Sequence, residues 1–348
     1  MKNLFEYDKN EILEMCVRDK ITVEGRIVDE EKYSDIKSNI RHLISALSIQ
    51  ETEKFWALIK EYYLFHVKKL IAFNQLSKDV ELGENKIFLK NTSIYEQENT
   101  IYKKITERFK KIEDLSKFPF LQLFQNEFSD YIENCELEIY YNVDGNDYIP
   151  EISIFNSEKK AILILNRNLL KLGKDNVNDF FTIIRHELGH VNQKDIHPTR
   201  IFFWHHVVKK KLSWAVLIFS FFLFGTIFIL NEIYRAYKTG DLWEFCRPNN
   251  WLGMKAFIVF MLSATRFIFY KNQKIKKAYR FESEFLSDLF AILADKNLNV
   301  LSVLENEFPQ YINKIGSDSH PDKSTRIDNI KETVTKIYLI CVSKMRFE

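Results

Sequence analysis

From Leu212 to Leu230 the chain runs for 19 residues without a charge, in a stretch rich in Phe, Leu and Ile. At about 1.5 Å per residue, a helix of that length just crosses the hydrocarbon core of a bilayer. Because the run is apolar all round, it has no polar face to turn to water, so a transmembrane helix is favoured over a buried core helix. The stretch 251–270 is a second candidate. It carries Lys255 near its start and Arg266 near its end, and both can reach an interface from there. An interfacial or re-entrant helix is the alternative for this second stretch. Trp243 and Trp251 suit an aromatic belt at the membrane boundary. Lys209, Lys210 and Lys211 precede the first stretch, and Lys271, Lys274, Lys276, Lys277 and Arg280 follow the second. The connection between the two is mixed in charge, so the positive-inside rule predicts that both large flanks face the cytoplasm.

Composition over the whole chain is that of a folded, mostly helical protein. Of the 348 residues, 46% are hydrophobic and 28% charged, and Gly and Pro are scarce. Extensive disorder is therefore not expected. A net charge of +2 argues against a dedicated nucleic-acid binder. Cys16, Cys135, Cys246 and Cys341 are scattered without a C-x-x-C pair, which predicts a reducing compartment and no disulfide framework. The opening residues turn acidic at Glu6 and Asp8 before any apolar core, so no cleaved export signal is expected.

Residues 1–115 predict an N-terminal helical region. Ile40, Leu43, Ile44 and Leu47 recur at helical spacing, as do Phe55, Leu58, Ile59 and Tyr62, and Ile101, Ile105, Phe109 and Ile112 mark a further helix to Asp114. His42 and His66 sit alone on such faces and read as packed or solvated residues. A helix over 121–132 then gives way to period-two strands at 136–142, 151–155 and 161–166. The last of these reads equally well as a sheet edge able to pair with an extended peptide and as an ordinary core strand. A helix follows, with Asn178 and Asp179 as the expected N-cap and Phe180, Ile183, Ile184 and Leu188 as its buried stripe.

On that helix stands His186-Glu187-Leu188-Gly189-His190. Residues four apart share a helix face, so both imidazoles can hold one metal ion while Glu187 points to where its water would sit. Zinc needs a third protein ligand. The longer H-E-x-x-H-x-x-G-x-x-H pattern fails, because Gln193 stands at its glycine and Ile196 at its third histidine. The other source is a carboxylate on a second helix. Residues 279–293 are a good helical sequence, and Glu284 and Asp288 lie four apart on one face. One of them can bind metal while the other receives the second N–H of a histidine. Glu282 suits this less well, having Leu286 four residues on.

Taken together, HELGH with Val191 to Asp195, an apolar hairpin, and Glu284-Phe285-Leu286-Ser287-Asp288 resemble the membrane zinc peptidases of the HtpX and CAAX-prenyl-protease type. Ser319-His320-Pro321 with Arg326-Ile327 resembles a further element of that family. The resemblance covers roughly residues 120–335. Ser287 stands where the family has alanine, Ile154-Phe155-Asn156 replaces its Asn-Ala-Phe segment, and membrane helices ahead of the H-E-x-x-H helix are missing.

The resemblance implies an α+β, mostly helical fold: a gluzincin-like domain interrupted by a membrane hairpin. Its first part would be 116–208, the hairpin 209–277 and its second part 278–348. It implies one zinc ion held by His186, His190 and Glu284, with Asp288 orienting a histidine, Glu187 as general base and His320 stabilising the oxyanion. The expected protein is an endopeptidase of the cell membrane that faces the cytoplasm. Its partners would be protein or peptide substrates and the bilayer, with no nucleic acid. The alternative reading makes residues 1–115 a sensor that gates the peptidase. Asp195 reads equally as a helix cap and as a solvated residue, while His205 and His206 belong at the membrane interface rather than on the metal.

Overall fold

The computed structural model describes residues 4–73, 98–131, 136–143, 151–155, 160–193, 281–306 and 321–346, with isolated positions between 230 and 240. The chain divides into two compact units. One combines residues 1–197 with 280–348, and the other is 198–279. The runs 212–230 and 251–270, Lys209 to Lys211, the basic segment 271–280, Asp195, His205, His206 and His320 lie outside the described residues, Leu230 excepted. Among the described residues no helix is long and apolar enough to cross a membrane.

The first unit is mostly helical with small sheets. Helix α1 (Lys9–Arg18) starts in a capping box: Asp8 accepts from the Glu11 amide at 3.0 Å, and Glu11 accepts from the Asp8 amide at 2.7 Å. A two-stranded hairpin, β1 (Thr22–Val23) and β2 (Arg26–Ile27), turns at Glu24 and Gly25. Both have positive φ, as the tight turn between twisted strands requires. Helix α2 (Glu30–Ser45) is capped by Asp29, and α3 (Ile49–Phe73) buries Phe55, Ile59, Tyr63 and Val67 along one face.

Helix α4 (Glu98–Arg108) stops short of the expected Asp114. Lys110–Lys111 leave it as a strand, β3, and the Ile112 amide donates to the Ile139 carbonyl at 2.8 Å. The apolar spacing continued past the helix end because Phe109 packs on the same core as Tyr102 and Ile105 from non-helical backbone. After α5 (Pro119–Tyr131) come β4 (Glu136–Asn142), β5 (Glu151–Phe155) and β6 (Lys160–Asn166). The sheet order is β3-β4-β6-β5, with β4 and β6 parallel and the other pairs antiparallel. Strand β6 is thus interior, and of the two earlier readings the core strand holds. Its continuous apolar run, Ala161 to Leu165, is buried on both faces, as interior parallel strands are.

One face of the sheet, formed by Tyr140, Ile162 and Ile164, is covered by Tyr102, Ile105 and Phe109 of α4 and its end. Glu138 lies on the same face, only 5% exposed. It accepts from Lys111 and Lys160 at 2.8 Å each, and from the Tyr102 and Tyr140 hydroxyls at 3.1 Å each. Every lone pair that burial removes from water is thereby replaced, and β3, β4, β6 and α4 are tied to one carboxylate.

Helix α6 (Arg167–Asp175), which the periodicity did not announce, follows β6 directly, capped by Asn166. Asn176 then ends α6 and starts α7 (Val177–Gln193). Its amide donates back to Leu172, and its side-chain oxygen accepts from the Asp179 amide at 3.2 Å. The N-cap is therefore Asn176 rather than Asn178 or Asp179. Residues 281–295 form helix α8, followed by α9 (Asn299–Asn306) and α10 (Lys323–Arg346). Helix α10 packs against α1, α2, α3 and α9, and α7 against α6, α9 and β5.

Burial opposes the charge of Glu138, but its four hydrogen bonds, led by Lys111 and Lys160, outweigh it and hold the carboxyl down at about 2. A carboxyl lowered below its unfolded value of about 4.3 adds stability above that pH and loses it as pH falls. Urea unfolding should accordingly show a midpoint that drops as pH falls from about 4.5 towards 2. Glu138→Gln should flatten that decline and cost about 1–3 kcal/mol at neutral pH.

Candidate metal centre

Helix α7 carries two demands along one length. Phe180, Phe181, Ile183, Ile184 and Leu188 are buried, with Phe120 stacking edge-on against Phe180 and Phe124 tilted against Phe181. On the same helix His186, Glu187 and His190 are only half-buried. The far end of α7 is pinned by polar contacts. Arg185 pairs with Asp295 and with Glu127, Thr182 donates to Asp295 at 2.7 Å, and Asn299 donates to Asp179 and Thr182. Helix α8 is thereby fixed alongside α7.

The two helices touch at Gly189. A Cβ placed there would lie 2.8 Å from Ser287 Cα and 3.1 Å from Phe290 Cβ. A side chain at that position would force backbone away from backbone, so glycine sets the helix spacing. At that spacing the Nε2 atoms of His186 and His190 lie 3.1 Å apart, and Glu284 places Oε2 3.5 Å from the first and Oε1 3.4 Å from the second. Among the described residues these three form the group able to hold a metal ion, with ligand atoms within 4.8 Å of one another.

Donor atoms about 2.0–2.2 Å from a tetrahedral ion stand roughly 3.3–3.6 Å apart. The two histidine–Glu284 separations fall in that range and the Nε2–Nε2 separation of 3.1 Å is slightly shorter, and two imidazole nitrogens with one carboxylate group suit zinc with one position left open. The residues present therefore fit a zinc ion.

Around the triad the charges are arranged in layers. Asp288, fully buried, accepts from His186 Nδ1 at 2.9 Å, which leaves Nε2 turned to the cluster. Arg326, from the start of α10, grips Asp288 with two N–H groups at 2.6 and 3.0 Å and lies 3.4 Å from Glu284. Burial opposes the charge of Asp288, yet the Arg326 guanidinium and His186 hold its carboxyl below the usual range. Burial likewise opposes a charged His186, but Asp288 and Glu284 outweigh it and raise that imidazole to about 9. Glu187, next to His186 on α7, is half-buried.

Comparison with models of protein families, with curated proteins and with solved structures finds no match to the chain. The functional reading therefore stands on these side chains.

Of the residues singled out in the sequence, His186, His190, Glu284 and Asp288 come together, Glu187 is their neighbour on α7, and His320 lies outside the described residues. Glu282 turns elsewhere and pairs with His66 at 2.9 Å. Sequence reading assigned no role to Arg326, to Gln193 beyond its place in the failed longer motif, or to Ser283, which lies between His190 Nδ1 and Gln193 Oε1. A polar residue inside a helical apolar pattern was the one available signal.

Gly189→Ala should push α7 and α8 apart, lowering stability by about 1–3 kcal/mol and weakening zinc binding at least tenfold. Thermal unfolding and chelator competition on the same samples would measure both.

Proposed function

We propose that the chain is a zinc-dependent endopeptidase with a gluzincin-like catalytic domain, of the membrane peptidase type that its motifs resemble. One observation carries the reading: Glu284, 94 positions after His190, meets both histidines of the H-E-x-x-H helix at metal-ligand spacing. A chance H-E-x-x-H has no reason to find a buried carboxylate there, itself flanked by a second carboxylate that orients one histidine.

His186, His190 and Glu284 would hold the ion. When bound, zinc supplies Lewis acidity towards water and towards the carbonyl of the scissile peptide. Glu187, half-buried beside the ligands, takes the proton of the attacking water and passes it to the leaving amine. Asp288 keeps His186 in the tautomer that turns Nε2 to the metal, and Arg326 keeps Asp288 ionised. His320 is assigned the oxyanion on the resemblance alone. The apolar runs 212–230 and 251–270 would anchor the enzyme in the cell membrane with its site towards the cytoplasm. Its substrates would be membrane-associated or regulatory proteins.

A gated form of this enzyme is a second reading, favoured by α3. Its Tyr63 hydroxyl accepts from Asn192 of α7 at 3.0 Å, and its His66 meets Glu282 of α8 at 2.9 Å. Helix α3 therefore contacts both ligand-bearing helices, and a signal that moved it would reach the site.

The chemistry is tested by Glu187→Gln, which should retain about one zinc ion per chain and lose peptide cleavage by a factor of about 100 or more. Retained turnover would overturn the mechanism. Glu284→Ala should lose the metal, whereas Glu282→Ala should keep it; the opposite pattern would reassign the third ligand.

A further inference from the structure

His186 and His190 share the metal cluster but differ in what stands behind them. Asp288 backs His186, and an ionised carboxylate can only accept, so His186 must carry its proton on Nδ1. Behind His190 stands a hydroxyl, Ser283 Oγ, 3.3 Å from Nδ1. A hydroxyl can accept or donate, so by itself it leaves the His190 tautomer open. The wrong choice puts a proton on Nε2, where the metal should bind.

Two further side chains resolve this. Ser283 donates its hydroxyl proton to Gln193 Oε1 at 3.2 Å, and Gln193 donates from Nε2 to Ser287 Oγ at 3.1 Å. Gln193 and Ser287 are both 0% exposed, so the bond between them is shielded from water, while Ser283 is half-buried. Once its proton is given to Gln193, Ser283 has only a lone pair to offer His190. The chain of donors then runs one way, from His190 Nδ1 to Ser283, to Gln193 and to Ser287, and the Nε2 lone pair is left facing His186 and Glu284. Gln193 lies three residues after His190 on α7, while Ser283 and Ser287 lie one residue before and three after Glu284 on α8. The same relay therefore also joins the two ligand-bearing helices.

We propose that Ser283, Gln193 and Ser287 form a directional hydrogen-bond relay that holds His190 in the Nδ1-protonated tautomer and so readies it as a metal ligand. This rests on the cluster binding a metal ion, as proposed above, and on nothing about the substrate. The three are positioning residues, since none touches the metal. The relay also gives a physical role to Ser287, whose hydroxyl is what an alanine at that position would lack.

The experiment is zinc affinity of the full-length protein, measured by competition with a chromophoric chelator. Circular dichroism and a thermal midpoint on each sample report the fold. Ser283→Ala should weaken zinc binding by about 10-fold or more, the lower end of what partners behind a ligand contribute. Ser283→Thr keeps the hydroxyl and should stay within about threefold of the original chain. Gln193→Met keeps the volume but removes the acceptor for the Ser283 proton, and should weaken binding comparably. The double variant should be no weaker than Ser283→Ala alone, because both act on one chain of bonds. A merely structural role would move the thermal midpoint without this rescue and non-additivity. If the original chain binds zinc and Ser283→Ala binds it as tightly, or if the two losses add, the relay is overturned. If the original chain binds no zinc, the metal reading fails instead.

Discussion

The close approach of α7 to α8 at Gly189 is the constraint on which the rest of this structure depends. Two imidazoles on one helix can face a metal, but they cannot complete its coordination. The missing oxygen arrives on α8, and it falls within reach because nothing larger than hydrogen separates Gly189 from the Ser287 backbone. The spacing is held from both ends. Arg185, Thr182 and Asn299 lock the outer end through Asp295 and Asp179, while Gln193 bridges Ser283 and Ser287 at the inner end.

Bringing the helices together concentrates acid. Glu284 and Asp288 are almost fully buried, Glu187 is near, and in a low dielectric such groups repel and resist ionisation. Arg326 answers this by donating twice to Asp288 while standing close to Glu284. The guanidinium comes from α10, the long helix packed against α1, α2, α3 and α9. The charge balance of the centre therefore depends on how the N-terminal helices seat α10. Helix α3 adds direct contacts to both α7 and α8, so residues 4–73 belong to the same compact unit as the candidate metal centre.

Much of this was legible along the chain. The H-E-x-x-H pattern, the Glu284–Asp288 pair and the three strands ahead of α7 are local signals, and each depends on a period of two or about four residues. The errors have local causes as well. Phe109 keeps helical spacing beyond the end of α4, since spacing records burial and not backbone. Asn176 was missed as a cap because it closes α6 and opens α7 at one residue, and α6 itself was not foreseen. Strand β6 looked the same whether at an edge or in the interior, because sheet order is set by partners and not by the strand's own residues.

By itself the sequence determined the chemistry on offer: two histidines and a carboxylate on one helix turn, and two further carboxylates on one face of another. These depend on helix geometry alone and survive in any fold that keeps the helices. Tertiary structure decided which carboxylate joins the cluster, which one backs His186, and which cation makes their burial tolerable. Spacing already set Glu284 and Asp288 apart from Glu282, but it did not say which of the pair meets the histidines, and it gave Arg326 no partner. Only the helix spacing set at Gly189 and the seating of α10 assign Glu284 to the histidines, Asp288 to His186 and Arg326, and Glu282 to His66.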